Sequence, residues 1–391
     1  MTEKNGYLDP VGRRVNAVTC EPAKNLITLY GESDTFYQTR MMESTFTEFS
    51  PRYERHNNAL LLPYRSNYHI PEGGFFEHWA YTNELGVIAI ADHYKPTLVG
   101  YKDHSMLPVY PFKKSYPIKH HQGDFYYMGL LNPHYGHFIQ ESVTRYWLAL
   151  QEAGTVSNNT KFVFHVMANA SNNLLDEIYG KNIHQYLSAL GITKDKVVFV
   201  RGPSSFESIT VPESSIAISD GNCYVAKEAR NVWRYINQNM SQNIGKVFKN
   251  RPNKVYISRS AVKNPIQGRV LINEKELELL LKKRGFTIVI PEAYDQQEMQ
   301  VILSEVEVIV GAPGSGLQNS FFIPGSAITL GLTTEAIAKI NPGLNHQIHT
   351  DKICGHKTHA YIADVMPGTT QGMEWVADLT SIENILDETG I

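Results

Sequence analysis

The stretch VEVIVGAPGSGLQNS, residues 306–320, joins an apolar run to a glycine-rich turn and a segment of helical character. The β-branched residues at 308–310 are typical of a buried strand, and the glycines at 311, 314 and 316 are typical of a tight turn. A buried strand that ends in such a turn and leads into a helix indicates a parallel α/β sheet. Because ligands of such sheets bind beyond the carboxyl ends of the strands, this turn is a candidate binding site.

The segments around this stretch repeat the alternation of strand and helix. Strand-like apolar runs are KVYISRS (254–260), TIVIPE (287–292), VEVIVGA (306–312) and AITLGL (327–332). The predicted helices between them are NEKELELLLKKRGF (273–286) and DQQEMQVILSE (295–305). Right-handed crossovers between these four strands give a doubly wound sheet.

A second region of alternating strands and helices begins at about residue 124. Its predicted strands are DFYYMGLL (124–131), KFVFHVM (161–167) and KVVFVRGP (196–203), and its predicted helix is NIHQYLSALGI (182–192). The first 110 residues are irregular, which predicts short strands and long loops.

The length and the polar, Asn-rich stretch at 231–254 predict how the chain is divided. A chain of 391 residues is too long for one ordinary core. Residues 1–240 are expected to form an N-terminal domain and residues 241–345 a Rossmann-like domain. Residues 346–391 are expected to be a tail that packs back on the N-terminal domain. A loop rich in His and Gly over 346–359 and a terminal helix near 378–387 are predicted within that tail.

The composition excludes several classes of protein. The net charge of −3 gives no electrostatic reason to expect a nucleic-acid partner. The three cysteines are far apart and form no C-x-x-C, so neither a zinc knuckle nor a disulfide framework is indicated. Without an apolar run of signal-peptide or membrane-spanning length, we expect a reducing, cytoplasmic location.

The glycine turn has the chemistry of an anion site. Gly314, Ser315 and Gly316 would let the backbone approach phosphate closely, and the following helix would offer N–H groups at its start. Arg259 ends the strand VYISR in the same region and can bind phosphate oxygens through two N–H groups. The spacing is not that of a P-loop or a dinucleotide fingerprint. The alternatives are a turn with purely structural glycines, and a surface ion pair of Arg259 with Glu292 or Glu298.

The segment NPHYGHFIQESVTRYW, residues 132–147, combines acid/base side chains with several aromatics. If it is a helix from about residue 136, His137 and Glu141 share a face that Arg145 continues. An imidazole or a carboxylate on that face could accept a proton from a hydroxyl group. One alternative is a metal site made by His134, His137 and Glu141. The other is an apolar buried face with polar residues that only cap the helix.

Taken in order, YISR, INEKELELLLKKRGFTIVIPE and QQEMQVILSEVEVIVGAPGSGLQNSFFIPG resemble glycosyltransferase family 61. That family carries Y-I-S-R, N-E-x-E-L, G-x-H-G-A-G-L-x-N and F-x-P-G in this order, and a helix that corresponds to residues 132–147. The resemblance covers roughly residues 70–335 and is strongest over 250–330. Pro313 stands where the family has His, Ser315 where it has Ala, and Thr144 where it has Pro. The family's usual Glu after the P-G turn is absent.

The resemblance implies an α/β protein of GT-B type, with two Rossmann-like domains facing across a cleft. It implies an inverting transferase that moves a sugar from a UDP-sugar or other nucleotide sugar to a glycan or lipid-linked glycan. The N-terminal domain would then lie on the acceptor side, and residues 241–345 would bind the nucleotide sugar. No D-x-D occurs in the chain, so we expect no metal and no other cofactor. A lipid-linked acceptor would bring the protein to the inner face of a membrane as a peripheral protein.

The same resemblance assigns candidate roles to individual residues. Glu141 is the first candidate base and His137 the second, with Arg145 orienting them or touching phosphate. The candidate donor-binding residues are Arg259, Gly314, Ser315, Gly316 and Asn319. Candidates for the acceptor or a secondary role are Asn132, His134 and Lys263, with Asn264 and Arg269 near Lys263. Two other classes stay open, namely a non-catalytic nucleotide-sugar or glycan-binding protein and a metal-dependent hydrolase.

Overall fold

The protein is a mixed α/β chain, which confirms the predicted class. In a computed structural model, the described residues are 7–8, 14–15, 17–31, 45–62, 80–81, 88, 91, 117–132, 134–166, 170–171, 173–179, 183–219, 222–242, 251–262, 270–334, 343–363 and 374–391. Within these ranges, every helix is too short or too polar to cross a bilayer.

Within the described ranges, the strands form five sheets, and they are numbered in chain order. They are β1 (Tyr7–Leu8), β2 (Arg14–Val15), β3 (Ala17–Pro22), β4 (Ile27–Gly31), β5 (Thr45–Phe49), β6 (Tyr53–Leu61), β7 (Ala80–Tyr81), β8 (Lys119–Leu131), β9 (Lys161–Val166), β10 (Val197–Val200), β11 (Ser204–Pro212), β12 (Ile216–Ser219), β13 (Asn222–Val225), β14 (Lys254–Ile257), β15 (Val270–Leu271), β16 (Thr287–Val289), β17 (Val308–Gly311), β18 (Ile328–Thr334), β19 (Lys357–Ala363) and β20 (Glu374–Trp375).

The α-helices are also numbered in chain order. They are α1 (Tyr135–His137), α2 (Trp147–Gln151), α3 (Leu174–Tyr179), α4 (His184–Ala189), α5 (Lys227–Ser241), α6 (Glu274–Lys283), α7 (Gln296–Leu303), α8 (Gly343–Cys354) and α9 (Leu379–Thr389). A π-helix covers Phe138–Ser142, and 3-10 helices cover Ala23–Leu26, Thr144–Tyr146, Lys194–Lys196, Pro291–Ala293 and Leu317–Phe322.

The chain divides into two compact units. One contains Met1–Cys20 and Thr47–Val232, and the other contains Glu21–Phe46 and Trp233–Ile391. The second unit therefore begins within helix α5, a few residues before the expected boundary at residue 240. It also contains Glu21–Phe46, which was expected to belong to the N-terminal domain.

The second unit is built on a fully parallel sheet in the order β16-β14-β17-β18-β19-β4. Numbered from β14 onward, its first five strands have the order 2-1-3-4-5, which is a doubly wound arrangement. Helices α6 and α9 cover one face and α8 the other. The four strands predicted for this region are all present. The direction of winding reverses between β14 and β17, so the switch point lies beyond their carboxyl ends.

Two strands of this sheet escape the sequence-based prediction. Residues 346–359, expected as a loop, are the end of α8 and the start of β19. The expected tail also packs within the second unit rather than on the N-terminal domain, because Ile382, Ile385 and Leu386 of α9 join the core formed by the sheet and α6. The sixth strand, β4, comes from the segment near the amino terminus and pairs with β19.

The first unit has a mixed sheet in the order β10-β9-β8-β11-β6-β7. The strands β10, β9, β8 and β11 are parallel, as the alternation of strands and helices predicts, whereas β6 and β7 pair antiparallel. Its core includes Phe125, Tyr127, Val163 and Phe206. The predicted strands at 124–131, 161–167 and 196–203 correspond to β8, β9 and β10.

A buried carboxyl group lies in the second unit between the sheet and α8. Asp351 accepts hydrogen bonds from the hydroxyls of Thr329, Thr358 (3.0 Å) and Ser320 (3.3 Å) and from Nε2 of Gln347 (2.8 Å). Burial raises the pKa of Asp351 to about 7, although all four hydrogen bonds act in the opposite direction. The folded protein therefore holds a proton on this group under conditions in which the unfolded chain has lost it.

We expect this proton to make stability depend on pH. The contribution of Asp351 is fully present below its ordinary pKa of 3.8 and is lost as the pH rises through about 7. Between pH 5 and pH 8, the free energy of unfolding of the wild type should fall by about 2 kcal/mol relative to Asp351→Asn. Urea unfolding of both proteins at several pH values measures this difference, in which the other titrating groups cancel. A difference that does not change with pH would contradict the assignment.

Candidate functional site

A pocket opens at the switch point of the parallel sheet. The residues that line it lie at or just beyond the carboxyl ends of β14, β17 and β18, at the start of α6, or in the paired strands β15 and β20. They are Tyr256, Arg259, Leu271, Glu274, Ala312, Pro313, Leu332, Thr333 and Trp375. The pocket thus combines apolar side chains with one guanidinium, one carboxylate and two hydroxyl groups, as a ligand with flat and charged parts requires.

Arg259 is the cation of this pocket. It stands two residues after the last residue of β14 and is partly buried. Its Nε atom is buried and has no hydrogen-bond partner among the described residues. Among the residues that the structure describes, no ion pair joins Arg259 to Glu292 or Glu298. Glu298 instead forms a capping box with Asp295 at the start of α7. The surface ion pair considered for Arg259 therefore does not form.

Glu274, at the start of α6, holds the segment that carries Arg259. Its Oε1 accepts hydrogen bonds from the backbone N–H of Arg259 (2.6 Å) and from the hydroxyl of Tyr256 (3.1 Å). Ser258 Oγ lies 3.2 Å from the same oxygen and 2.7 Å from Oε1 of Glu278. Burial and this carboxylate raise the pKa of Tyr256 well above its ordinary value, so its hydroxyl keeps the proton that it donates.

The residue before Glu274 is bonded to the segment that carries another lining residue of the pocket, Trp375. The Asn273 side chain donates to the carbonyl of Ala377 (2.9 Å) and accepts from the N–H of the same residue (2.8 Å). Ala377 follows β20, whose Trp375 lines the pocket. The sequence analysis did not identify Asn273, Glu274 or Trp375 as site residues. The Asn-Glu pair was visible as part of N-E-x-E-L, but Trp375 is about 100 residues farther along the chain and no motif marked it.

The glycine turn is compact and largely structural. A Cβ atom on Gly316 would lie 3.2 Å from a methyl carbon of Ile257, and Gly314 has a φ of 143°, which side chains rarely adopt. The expected helix after the turn is a 3-10 helix of six residues, Leu317–Phe322. Asn319 is buried, and its side-chain amide donates to the carbonyl of Gly316 (2.8 Å), so this candidate donor-binding residue stabilises the turn.

The acid/base segment of the first unit is not one regular helix. It consists of four short elements in chain order, which are α1, the π-helix Phe138–Ser142, the 3-10 helix Thr144–Tyr146 and α2. The Ser142 hydroxyl donates to the carbonyl of Leu130 in β8 (2.8 Å) and accepts from the N–H of Asn132 (3.1 Å). These bonds tie the π-helix to the end of the strand. Short π-helices of this kind occur frequently at functional sites.

His137 and Glu141 form a close pair across the π-helix. His137 Nδ1 lies 2.6 Å from Glu141 Oε1, so the predicted shared face is present at these two positions. The His137 side chain is 27% exposed, whereas that of Glu141 is 4% exposed. The imidazole is therefore the member of the pair that an external molecule can reach.

Arg145 does not belong to this pair. It is 1% exposed, donates to the carbonyls of Pro212 and Ala91, and lies over the ring of Tyr127 with its Cζ 5.3 Å from the centroid. The expectation that it continues the face of His137 and Glu141 is wrong, because the π and 3-10 turns break the regular helical period. Its role is to join the end of β11 to residue 91 and the sheet.

The remaining predicted residues of this segment are near the pair or support it. His134 is exposed, and its ring centroid lies 5.2 Å from that of His137. Asn132 is buried and accepts from the N–H of His134 (3.0 Å), so it shapes the turn after β8.

No set of three His, Cys, Asp or Glu side chains with metal-site geometry occurs in the described ranges, which include the proposed ligands of the hydrolase alternative. Lys263, Asn264 and Arg269 lie outside the described residues.

Comparison with known proteins identifies one family over this part of the chain. The family model described as Glycosyltransferase 61 matches residues 135–329. The matched segment contains the His137–Glu141 pair, Arg259, Glu274 and the glycine turn. No curated protein matches the chain.

Proposed function

The chain belongs to glycosyltransferase family 61, and on this premise we propose that it transfers a sugar from a UDP-sugar to a glycan or lipid-linked glycan. Membership makes it a glycosyltransferase, with a sugar donor and a glycan acceptor in general. Inversion at the anomeric carbon, a metal-independent donor site and a GT-B pairing of the two units complete the proposal. The cytoplasmic location stays a prediction from the sequence.

The observation that carries this function is the position of Arg259 at the switch point of a parallel sheet. A guanidinium with a buried Nε that makes no hydrogen bond to the described residues has donors left for a ligand. Its planar N–H groups match the oxygens of a diphosphate, and the backbone of Gly314, Ser315 and Gly316 lies across the switch point. The apolar wall with Pro313 and Trp375 suits the flat part of a nucleotide.

Arg259 would act most strongly as the bond to the donor breaks. Negative charge accumulates on the leaving diphosphate when the sugar–oxygen bond breaks, and a preorganised cation stabilises that charge. Because the cation is part of the protein, the diphosphate needs no divalent ion to balance it. The lack of a D-x-D pair, which metal-dependent transferases use, agrees with this arrangement.

For the acceptor, we assign the base to His137 and the orienting role to Glu141. An attacking hydroxyl must lose its proton to a group that it can touch, and His137 is the exposed member of the pair. Because Nδ1 of His137 is hydrogen-bonded to Glu141, Nε2 is the ring nitrogen that would accept the proton. Glu141 would then stabilise the imidazolium that forms. This reverses the ranking that spacing alone favoured.

A non-catalytic nucleotide-sugar-binding protein is the second candidate, and Pro313 favours it. This residue lines the pocket where the family has His, and proline supplies neither an imidazole nor a backbone N–H. Such a protein would bind the nucleotide but would neither transfer nor hydrolyse the sugar with any acceptor.

We expect UDP to bind the purified protein in the presence of EDTA, and Arg259→Ala to weaken that binding by about tenfold or more. Calorimetry with UDP, GDP, CMP and dTDP measures the affinities. Arg251→Ala is the matched control, because Arg251 precedes the amino end of β14 and pairs with Glu305 at the surface. Binding that needs a metal, or that both variants weaken equally, would contradict the donor site.

The base assignment predicts chemical rescue. His137→Ala should lower the rate of transfer, or of hydrolysis of the bound UDP-sugar, by about a hundredfold. Added imidazole should restore part of that rate, because the partly exposed side chain leaves a space that solvent can enter. The surface pair of His56 and Glu54 is the control, and His56→Ala should neither lose activity nor respond to imidazole. Full activity of His137→Ala would refute the assignment.

A further inference from the structure

The two residues that open α6 are bonded to both walls of the pocket. Glu274 Oε1 accepts from the backbone of Arg259, and Asn273 is doubly hydrogen-bonded to Ala377, two residues after Trp375. Neither residue has a role in the proposed function. Their position at the start of one helix makes the geometry of the pocket depend on a single rigid element.

We propose that Glu274 is a positioning residue that sets nucleotide affinity by holding Arg259, with Asn273 holding the Trp375 wall in the same way. This inference rests on the proposed function of the pocket. A buried carboxylate that accepts a backbone N–H at 2.6 Å forms a charge-assisted bond, which is stronger than a bond between neutral groups. This bond constrains the backbone conformation of Arg259 directly beyond β14, where the chain has left the hydrogen bonding of the sheet.

The contacts of Glu274 also determine where the Arg259 side chain begins. The bonded oxygen accepts a second hydrogen bond from the hydroxyl of Tyr256, which belongs to β14 itself. The carboxylate therefore fixes residue 259 relative to the strand and to the glycine turn on the neighbouring strand β17. A binding group must be held within about 0.5 Å of its productive position, so loss of this anchor should reduce affinity even though Arg259 is unchanged.

The same helix supplies a control for charge and one for the neighbouring bond. Glu276 is exposed and lies in the same first turn as Glu274, so Glu276→Gln removes the same charge without touching the pocket. Glu278 bonds Ser258 Oγ at 2.7 Å but is not bonded to the backbone of Arg259. Glu278→Gln therefore removes a hydrogen bond at the end of β14 but leaves the bond between Glu274 and the Arg259 backbone in place. It shows whether a general loosening of the strand end is enough to change affinity.

The test compares UDP affinity in Glu274→Gln, Glu274→Ala and the two control variants. Affinity should fall by about tenfold in Glu274→Ala and by less in Glu274→Gln, which keeps an acceptor oxygen, while both controls stay within about twofold of the wild type. Combined with Arg259→Ala, Glu274→Gln should cause no further loss, because its effect acts through Arg259. Additive losses in the double variant would overturn the inference.

A second measurement needs no nucleotide. Phenylglyoxal labels accessible arginines, and mass spectrometry of the peptide with Arg259 gives its labelling rate in each folded variant. The rate should rise by about threefold or more in Glu274→Gln and stay unchanged in Glu276→Gln. An unchanged rate in Glu274→Gln overturns the positioning role even if UDP binds. A raised rate in a protein whose wild type binds no nucleotide supports the positioning role and rejects the proposed function alone.

Discussion

Parallel pairing of β14, β17 and β18 is the constraint on which the donor site depends. Because the three strands run in one direction and in register, the segments that follow them meet at one edge of the sheet. The winding reverses between β14 and β17, so the switch point lies beyond the carboxyl ends of these two strands. Arg259 and the glycine turn are about fifty residues apart in the chain, yet both follow strands that border this point.

The pocket and the His137–Glu141 pair share one physical feature, which is a buried carboxylate that holds a more exposed basic group. Glu274 is bonded to the backbone of Arg259, and Glu141 is bonded to the ring of His137. In each case, the acid is more buried than the base. A carboxylate in this position fixes the geometry of its partner. Arg145, although basic, is buried and donates to the backbone carbonyls of Pro212 and Ala91.

Sequence patterns predicted what depends on local periodicity. Four of the six strands of the parallel sheet and helices α6 and α7 were predicted, because apolar runs and glycine stops specify them locally. The strand β19 was missed because its polar first residues, Lys357 to His359, continue a segment rich in His and Gly that is typical of a loop. Its partner β4 comes from a distant part of the chain. The π-helix at Phe138–Ser142 was also missed, because the bonds of Ser142 to Leu130 and Asn132 that hold it are tertiary.

The central claim is that the switch-point edge of the second unit binds a nucleotide diphosphate. Hydrogen–deuterium exchange with and without saturating UDP, read by mass spectrometry, tests it most directly. Slower exchange is predicted for the backbone amides at and just beyond the carboxyl ends of β14, β17 and β18, within residues 258–262, 312–317 and 332–334. Exchange at the amino ends of the same strands should not change. Slower exchange confined to other segments, or none while UDP is bound, would contradict the claim.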